Sequence, residues 1–310
     1  MATFPLLQLP VVAMENTLSI MTPLELIDLS LVSARSKTTV KNFLRVRPKF
    51  KAEMNISRGS NIIISAREEW RLKKINKLEE ERRFMNNEVN EMAKAFEYIK
   101  EVLECDFDLI RIDFSRLHDE NRQFIDWLRS QQQIFDTIAI QGSYQNYDDD
   151  VKYLMENLKA TGELVLVMLR HADDFQLEIP EGLRILHVDS SGFIKFEQFL
   201  KLDSEQIVFL RSPLTSQEIY RFLKSWMACE SHLNLKALQI TIDHPDVINA
   251  VKELPHVEVT IDNNIRGMFD RVAFFNSLTN GFNITRSDGK IATTCVLQTA
   301  ATSRLYFVLH

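Results

Sequence analysis

The chain has 310 residues, 45% of them hydrophobic and 26% charged, with a formal net charge of −6. That supplies apolar material for one large or two smaller cores, and the acidic balance leaves no basic footprint for nucleic acid. Three cysteines without paired spacing (Cys105, Cys229, Cys295) fit a reducing compartment and exclude a disulfide framework or zinc finger, and no apolar run is long enough for a membrane span.

Residues 4–43 are apolar and free of glycine. Leu9-Pro10 stands near the start, and Leu18, Met21, Leu24, Leu26, Leu29 and Val32 recur at helical spacing. Thr22-Pro23 reads as a cap followed by proline in the first helical turn. Two or three short helices are predicted, a unit near the size at which a lone core is marginal. It therefore leans either on the rest of the chain, as an amphipathic cap, or on a partner protein. Pro5 and Pro10 break the apolar start and no basic leader precedes it, so a signal peptide is not expected. The matches to the glycosylation pattern at Asn55 and Asn283 are then incidental.

The basic run Arg45 to Lys51 reads as a solvated linker rather than a localisation signal. Phe50 to Ser65 predicts a hairpin, Met54 and Ile56 facing Ile62 and Ile64 across a turn at Arg58-Gly59-Ser60. From Ala66 to Glu104 the chain is highly charged and without proline or glycine, which predicts one long helix or two shorter ones. Met92, Phe96, Ile99, Val102 and Leu103 give its end an apolar stripe that must dock on the next elements of the chain. Sustained heptads are missing, so a dimerising coiled coil is not the favoured reading.

Beyond this helix an apolar pattern recurs. Its copies are Phe107–Ile110–Ile112, Phe135–Ile138–Ile140, Leu164–Val167–Leu169, Leu183–Leu186–Val188, Ser204–Ile207–Phe209, Leu235–Leu238–Ile240 and Leu254–Val257–Val259. First slots are 28, 29, 19, 21, 31 and 19 residues apart, which brackets the leucine-rich-repeat period. Helical stripes fill the intervals, among them Phe124, Ile125 and Leu128; Val151, Leu154, Met155 and Leu158; Phe196, Phe199 and Leu200; Ile219, Phe222, Leu223 and Trp226; and Val247, Ile248 and Val251. Strand and helix alternating at this rhythm predict a parallel sheet with helices on one side. An ordinary α/β sheet covered on both faces is the alternative. Past residue 260 the rhythm stops: Phe282 to Cys295 reads as a hairpin turning at Asp288-Gly289, and Arg304 to Leu309 as a terminal strand.

Two stretches carry a family resemblance. Leu9-Pro10, Leu18, Met21, Pro23, Glu25-Leu26, Val32-Ser33 and Arg35 meet in order the pattern of an F-box, with departures at Thr17 and Ser36. Ser190 to Met227 and Gly281 to Thr293 resemble the type-2 F-box-associated domain, which follows F-boxes in a large family of nematode proteins. The resemblance implies three parts: an F-box over 1–45, a connecting hairpin and charged helix over 46–105, and a substrate-binding domain over 106–310. Taken together with the apolar pattern and turn signals above, the expected fold class is mixed α+β and α/β. It is a small helical F-box, then an irregular leucine-rich-repeat-like parallel β/α array with a C-terminal antiparallel hairpin. The resemblance also implies the substrate receptor of a cullin-based ubiquitin ligase, working in the cytoplasm, the nucleus or both. Such a chain docks on a Skp-type adaptor, and through it a cullin, and is not itself an enzyme. Leu9, Pro10, Leu18, Met21, Leu24 and Leu26 are the expected adaptor contacts.

The residues themselves offer no chemistry to set against this. No two of the seven histidines fall at metal-ligand spacing on one helix, and eight glycines build no phosphate-cradling loop. His187 reads as a hydrogen-bonded structural histidine. Asp148-Asp149-Asp150 reads as a helix start, where carboxylates complement exposed amides, rather than a cation site. Cys229 is expected to be packed on an amphipathic helix, and Trp70, Trp127 and Trp226 to be core. No catalytic residue, metal or cofactor is expected. A protein target would meet the sheet face opposite the core positions: Arg111, Asp113, Leu166, Met168, Arg170, Ile185, His187, Val208, Leu210 and Gln239. Alternatively, the C-terminal sheet covers that face. The competing function is a leucine-rich-repeat-like interaction scaffold with no ubiquitin role, its first forty residues serving as a cap.

Overall fold

The computed structural model describes residues 6–45, 50–57, 60–65, 88–117, 120–242, 247–261, 279–298 and 302–310. It divides into two compact units, residues 1–112 with 126–135, and residues 113–125 with 136–310. Arg58 and Gly59 of the expected turn, residues 46–49 of the basic run, residues 66–87 with Trp70, and His118 and His244 lie outside the described residues.

The first unit opens with a 3-10 turn, Leu6–Gln8, and three helices: α1 (Val11–Ser19), α2 (Pro23–Val32) and α3 (Ala34–Leu44). Why α2 starts where it does is visible in its cap. Thr22 N–H donates to Glu25 Oε2 at 2.8 Å, Glu25 N–H donates to Thr22 Oγ1 at 3.3 Å, and Pro23, having no N–H, needs no acceptor. Ser33 Oγ accepts from Ser36 N–H and starts α3 in the same way. Strands β1 (Lys51–Ile56) and β2 (Asn61–Ser65) form the predicted hairpin, Met54 opposite Ile62 and Ala52 opposite Ile64. Helix α4 (Glu88–Leu103) buries Phe96, Ile99, Val102 and Leu103. Phe96 stacks at 3.8 Å on Phe107 of β3 (Asp106–Asp113), which runs parallel to β1. Ser30 Oγ lies 2.9 Å from Tyr98 Oη, and Lys37 Nζ donates to Glu101 at 2.7 Å, so α2 and α3 are tied to α4.

The chain continues through α5 (Phe114–Leu117), α6 (Asn121–Gln131), β4 (Ile134–Asn146), α7 (Asp148–Asn157), β5 (Lys159–Arg170) and β6 (Ile185–Val188). Then come α8 (Phe196–Phe199), β7 (Gln206–Ser212), α9 (Ser216–Met227), β8 (Ala237–Ile242) and α10 (Val247–Lys252). Four strands close it: β9 (Val257–Thr260), β10 (Asn280–Thr285), β11 (Ile291–Gln298) and β12 (Ser303–Leu309). In the second unit the described strands run in the order β4-β5-β6-β7-β8-β12-β11-β10-β9, parallel from β5 to β8 and antiparallel from β8 onward. The fold is thus mixed α/β, a large and mostly parallel sheet with helices, ending in antiparallel strands.

Pairing register aligns the core in rows. Leu164, Leu186, Ile207, Leu238 and Phe307 sit side by side across β5, β6, β7, β8 and β12, and all are fully buried. The α9 stripe Ile219, Phe222, Leu223 and Trp226 covers this face, Trp226 meeting Phe307 edge-on at 4.9 Å. Phe199 of α8 packs edge-on against both Phe209 and Phe222. Each such side chain contributes roughly 1.5–3 kcal/mol through burial.

The structure corrects three expectations. In the apolar run of β5 Leu164, Leu166 and Leu169 are buried, whereas Val167 is half-exposed. Met168 adopts φ +53°, an irregularity that places two consecutive residues outward and resets the alternation. The last copy of the pattern is no parallel unit, because β9 pairs antiparallel with β10 and Val257 is 65% exposed. The C-terminal strands extend the sheet edge to edge through β12 rather than lying over its face. The predicted turn is present: Gly289 has φ +89°, Arg286 N–H donates to Lys290 O, and Arg286 pairs with Asp288 at 2.8 Å. Among the described helices none is long and apolar enough to cross a membrane.

Candidate functional site

In the N-terminal helices the apolar residues divide into two sets. Leu18, Leu26, Ile27, Val40, Phe43 and Leu44 form the buried side. The outward set is Val11 (64% exposed), Val12 (70%), Ile20 (78%), Leu31 (62%) and Val32 (75%). Five of the eleven large exposed hydrophobics among the described residues thus fall within residues 11–32. Of the six expected adaptor contacts, Leu18 and Leu26 are core and Pro10 is exposed, while Leu9, Met21 and Leu24 are half-buried. Pattern reading missed Leu31 and Val32 because α2 (PLELIDLSLV) is apolar nearly all round, so periodicity alone does not say which side turns in; Val11 and Val12 on α1 and Ile20 after it fall outside that stripe.

The expected target-facing residues do not come together as one patch. Met168 is 37% exposed, Arg170 and Arg111 are exposed, and His187, Ile185 and Leu210 are half-buried. Val208 and Gln239 are buried, and Leu166 belongs to the core. Asp113 is buried too, its Oδ1 accepting from Ser115 N–H at 3.0 Å and its Oδ2 from Gln141 Nε2 at 2.9 Å.

What the structure assembles instead is a polar rim at the carboxyl ends of β4 to β7. His187 Nε2 lies 3.0 Å from Asp189 Oδ1, and Met168 N–H donates to Asp189 Oδ2 at 3.1 Å. Burial pushes the Asp189 carboxyl up. The hydrogen bonds from His187 and Met168, with the charges of His187 and Arg211, outweigh it and hold the group below its ordinary value. Arg211 lies over the Tyr144 ring at 5.5 Å. Ser143, Tyr144, Met168 and Arg211 all have left-handed φ between +50° and +59°, a clustering of strained backbone that no periodicity signals. His187 is hydrogen-bonded, as expected for a structural histidine.

Asp148, Asp149 and Asp150 fill the first turn of α7, as expected. Asp148 does more: its Oδ1 lies 2.6 Å from His171 Nδ1 and its Oδ2 accepts from Ala172 N–H. Among the described residues no group of three or more candidate ligands could hold a metal ion. Cys105 and Cys295 are buried, and burial pushes both thiols up to about 12. Cys229 lies two residues past the end of α9 at φ +62°, half-buried, rather than on the helix.

Residues 174–240 match the family model described as F-box associated. The match spans β6 to β8 with α8 and α9 and includes Ser190 to Met227; Gly281 to Thr293 lies outside it. No curated protein and no solved structure matches the chain.

Proposed function

We propose that the chain is a substrate-recognition subunit of a Skp-cullin-F-box ubiquitin ligase. The observation that carries this reading is the F-box associated match at residues 174–240, downstream of helices that leave five large apolar side chains in water. In this reading residues 1–45 are the F-box and dock on the Skp-type adaptor. The second unit, an irregular leucine-rich-repeat-like array, recruits a protein target. The chain does no bond chemistry of its own and works in the cytoplasm or nucleus. It holds its target beside a charged conjugating enzyme, so that a bimolecular transfer proceeds at high effective concentration.

Adaptor affinity would then rest on burying the outward set, with Pro10 and the half-buried Leu9, Met21 and Leu24 at its margin. Replacing Ile20, Leu31 and Val32 by serine removes apolar contact while leaving the buried side intact. The expected result is loss of co-purification with a Skp-type adaptor and unchanged thermal stability of the free chain. Undiminished capture by this variant would refute the assignment. The packing of α2 and α3 on α4 favours the second reading, an interaction scaffold whose first residues are a cap. That reading expects no adaptor capture by the wild-type chain.

A further inference from the structure

Between β5 and β6 the chain runs for fourteen residues, 171–184, without regular secondary structure. Loops of that length in a compact unit are uncommon and tend to carry function. This one is pinned at both ends and in its middle. Asp148 holds His171 and Ala172, Gln198 Nε2 donates to Leu177 O at 2.8 Å, and Gly182 N–H donates to Asp203 Oδ1 at 3.2 Å.

Three hollows of about 420, 510 and 650 Å³ open along it, the first sharing Asp174 and Phe175 with the second, and Gln176, Leu177 and Glu178 with the third. The second and third lie against α7 and the first against α8, and the stretch of surface they share along the loop is called the groove below. Its apolar lining includes the buried Phe175, Leu177 and Phe193. Its walls carry nine carboxylates against three cationic side chains. Asp148 and Asp150 are engaged with His171 and Arg122, but exposed Asp149, Asp173, Asp174, Glu178 and Glu197 have no ion-pair partner among the described residues.

We infer that this groove binds an extended, basic segment of a protein partner, one carrying an apolar anchor between its cationic residues. Charge complementarity selects the occupant: uncompensated carboxylates around an apolar floor repel nucleic acid and acidic peptides and attract lysine and arginine. The Phe175 ring in the wall is already engaged, with Lys152 Nζ 5.2 Å from its centre and His171 stacked on it at 4.3 Å. The side chain of His171 is only 6% exposed, and its Nε2 has no hydrogen-bond partner among the described residues. Because the loop is already tied down, little ordering cost opposes binding.

This inference rests on the second unit being the target-recruiting part, and it needs no adaptor to be tested. The full chain is titrated with a fluorescent twelve-residue peptide of alternating arginine and lysine around a central leucine. Controls are the same peptide with glutamate at every charged position, and one with serine for leucine. The wild-type chain is expected to bind the basic peptide alone, more weakly as salt shortens the screening length, and to prefer leucine to serine. The variant Asp173→Lys/Asp174→Lys/Glu178→Lys should weaken binding by roughly tenfold or more, and Asp173→Asn/Asp174→Asn/Glu178→Gln by less. Equal binding of basic and acidic peptides, or an affinity indifferent to both variants, would overturn the groove assignment. Adaptor capture is scored on the same proteins. Capture without peptide binding removes only the groove, and peptide binding without capture removes only the ubiquitin reading.

Discussion

His232 shows how a single residue can set the acid sensitivity of the core. It is 3% exposed, lies 4.7 and 4.9 Å from the rings of Phe199 and Phe222, and burial pushes it down to about 4 from 6.5. Above pH 6.5 the ring is neutral in both folded and unfolded chains and adds no pH dependence. Between 6.5 and 4 the unfolded chain takes up a proton that the folded chain refuses, so stability falls as pH falls. The full loss is up to about 3 kcal/mol. Urea unfolding at pH 7 and pH 4.5 should therefore show a drop in the wild-type chain that shrinks markedly in His232→Phe. The slopes are compared rather than the absolute stabilities, because φ +53° at this position disfavours phenylalanine equally at both pH values. Nothing in the sequence singles out His232 among seven histidines, since its aromatic neighbours come from α8 and α9.

At the scale of elements, the stripe on α9 is the best case of structure readable in advance. Thr215 and Glu218 form its capping box, and Ile219, Phe222, Leu223 and Trp226 repeat at helical spacing onto one face. Trp226 is fully buried against Phe307 and the Arg286 guanidinium, which lies 5.2 Å from its ring. Trp226→Ala is expected to cost about 3–5 kcal/mol in denaturant unfolding, the range for deleting a buried aromatic. A loss below about 1 kcal/mol would mean that α9 is not packed as described. The strands were equally legible where alternation is regular, as in Leu183–Leu186–Val188 and Leu235–Leu238–Ile240, all buried. Reading failed where backbone geometry intervenes. The left-handed Met168 moves Val167 outward and Leu166 inward, and β9, whose apolar spacing matches the parallel strands, takes an antiparallel edge place. Neither outcome is encoded in local periodicity, because each depends on a neighbouring strand. The long acidic groove escaped for a related reason: its walls come from α7, the 171–184 loop and α8, each unremarkable alone.

For the molecule as a whole, the question is how one N-terminal segment can be both a cap and a docking plug. The buried and outward sets of α1 and α2 are different residues, so the two roles do not compete. Leu18 and Leu26 with Ser30 and Lys37 belong to the packing that includes α4, whereas Val11, Val12, Ile20, Leu31 and Val32 serve no described contact of the core. Deleting residues 1–45 would therefore strip α4 of its partners, including the Ser30–Tyr98 and Lys37–Glu101 contacts, at the same time as it removes the outward set. We expect the deletion to lose adaptor capture and also to lower the melting temperature and solubility. The serine variant at Ile20, Leu31 and Val32 should lose capture alone, because each substitution replaces solvent-exposed apolar surface by polar surface. Melting curves and adaptor pull-down on the two proteins, side by side, read both properties. If the serine variant melts as early as the deletion, the outward set is part of the fold and the cap reading prevails; if it melts like wild type and captures nothing, the two sides of the helices have separate work.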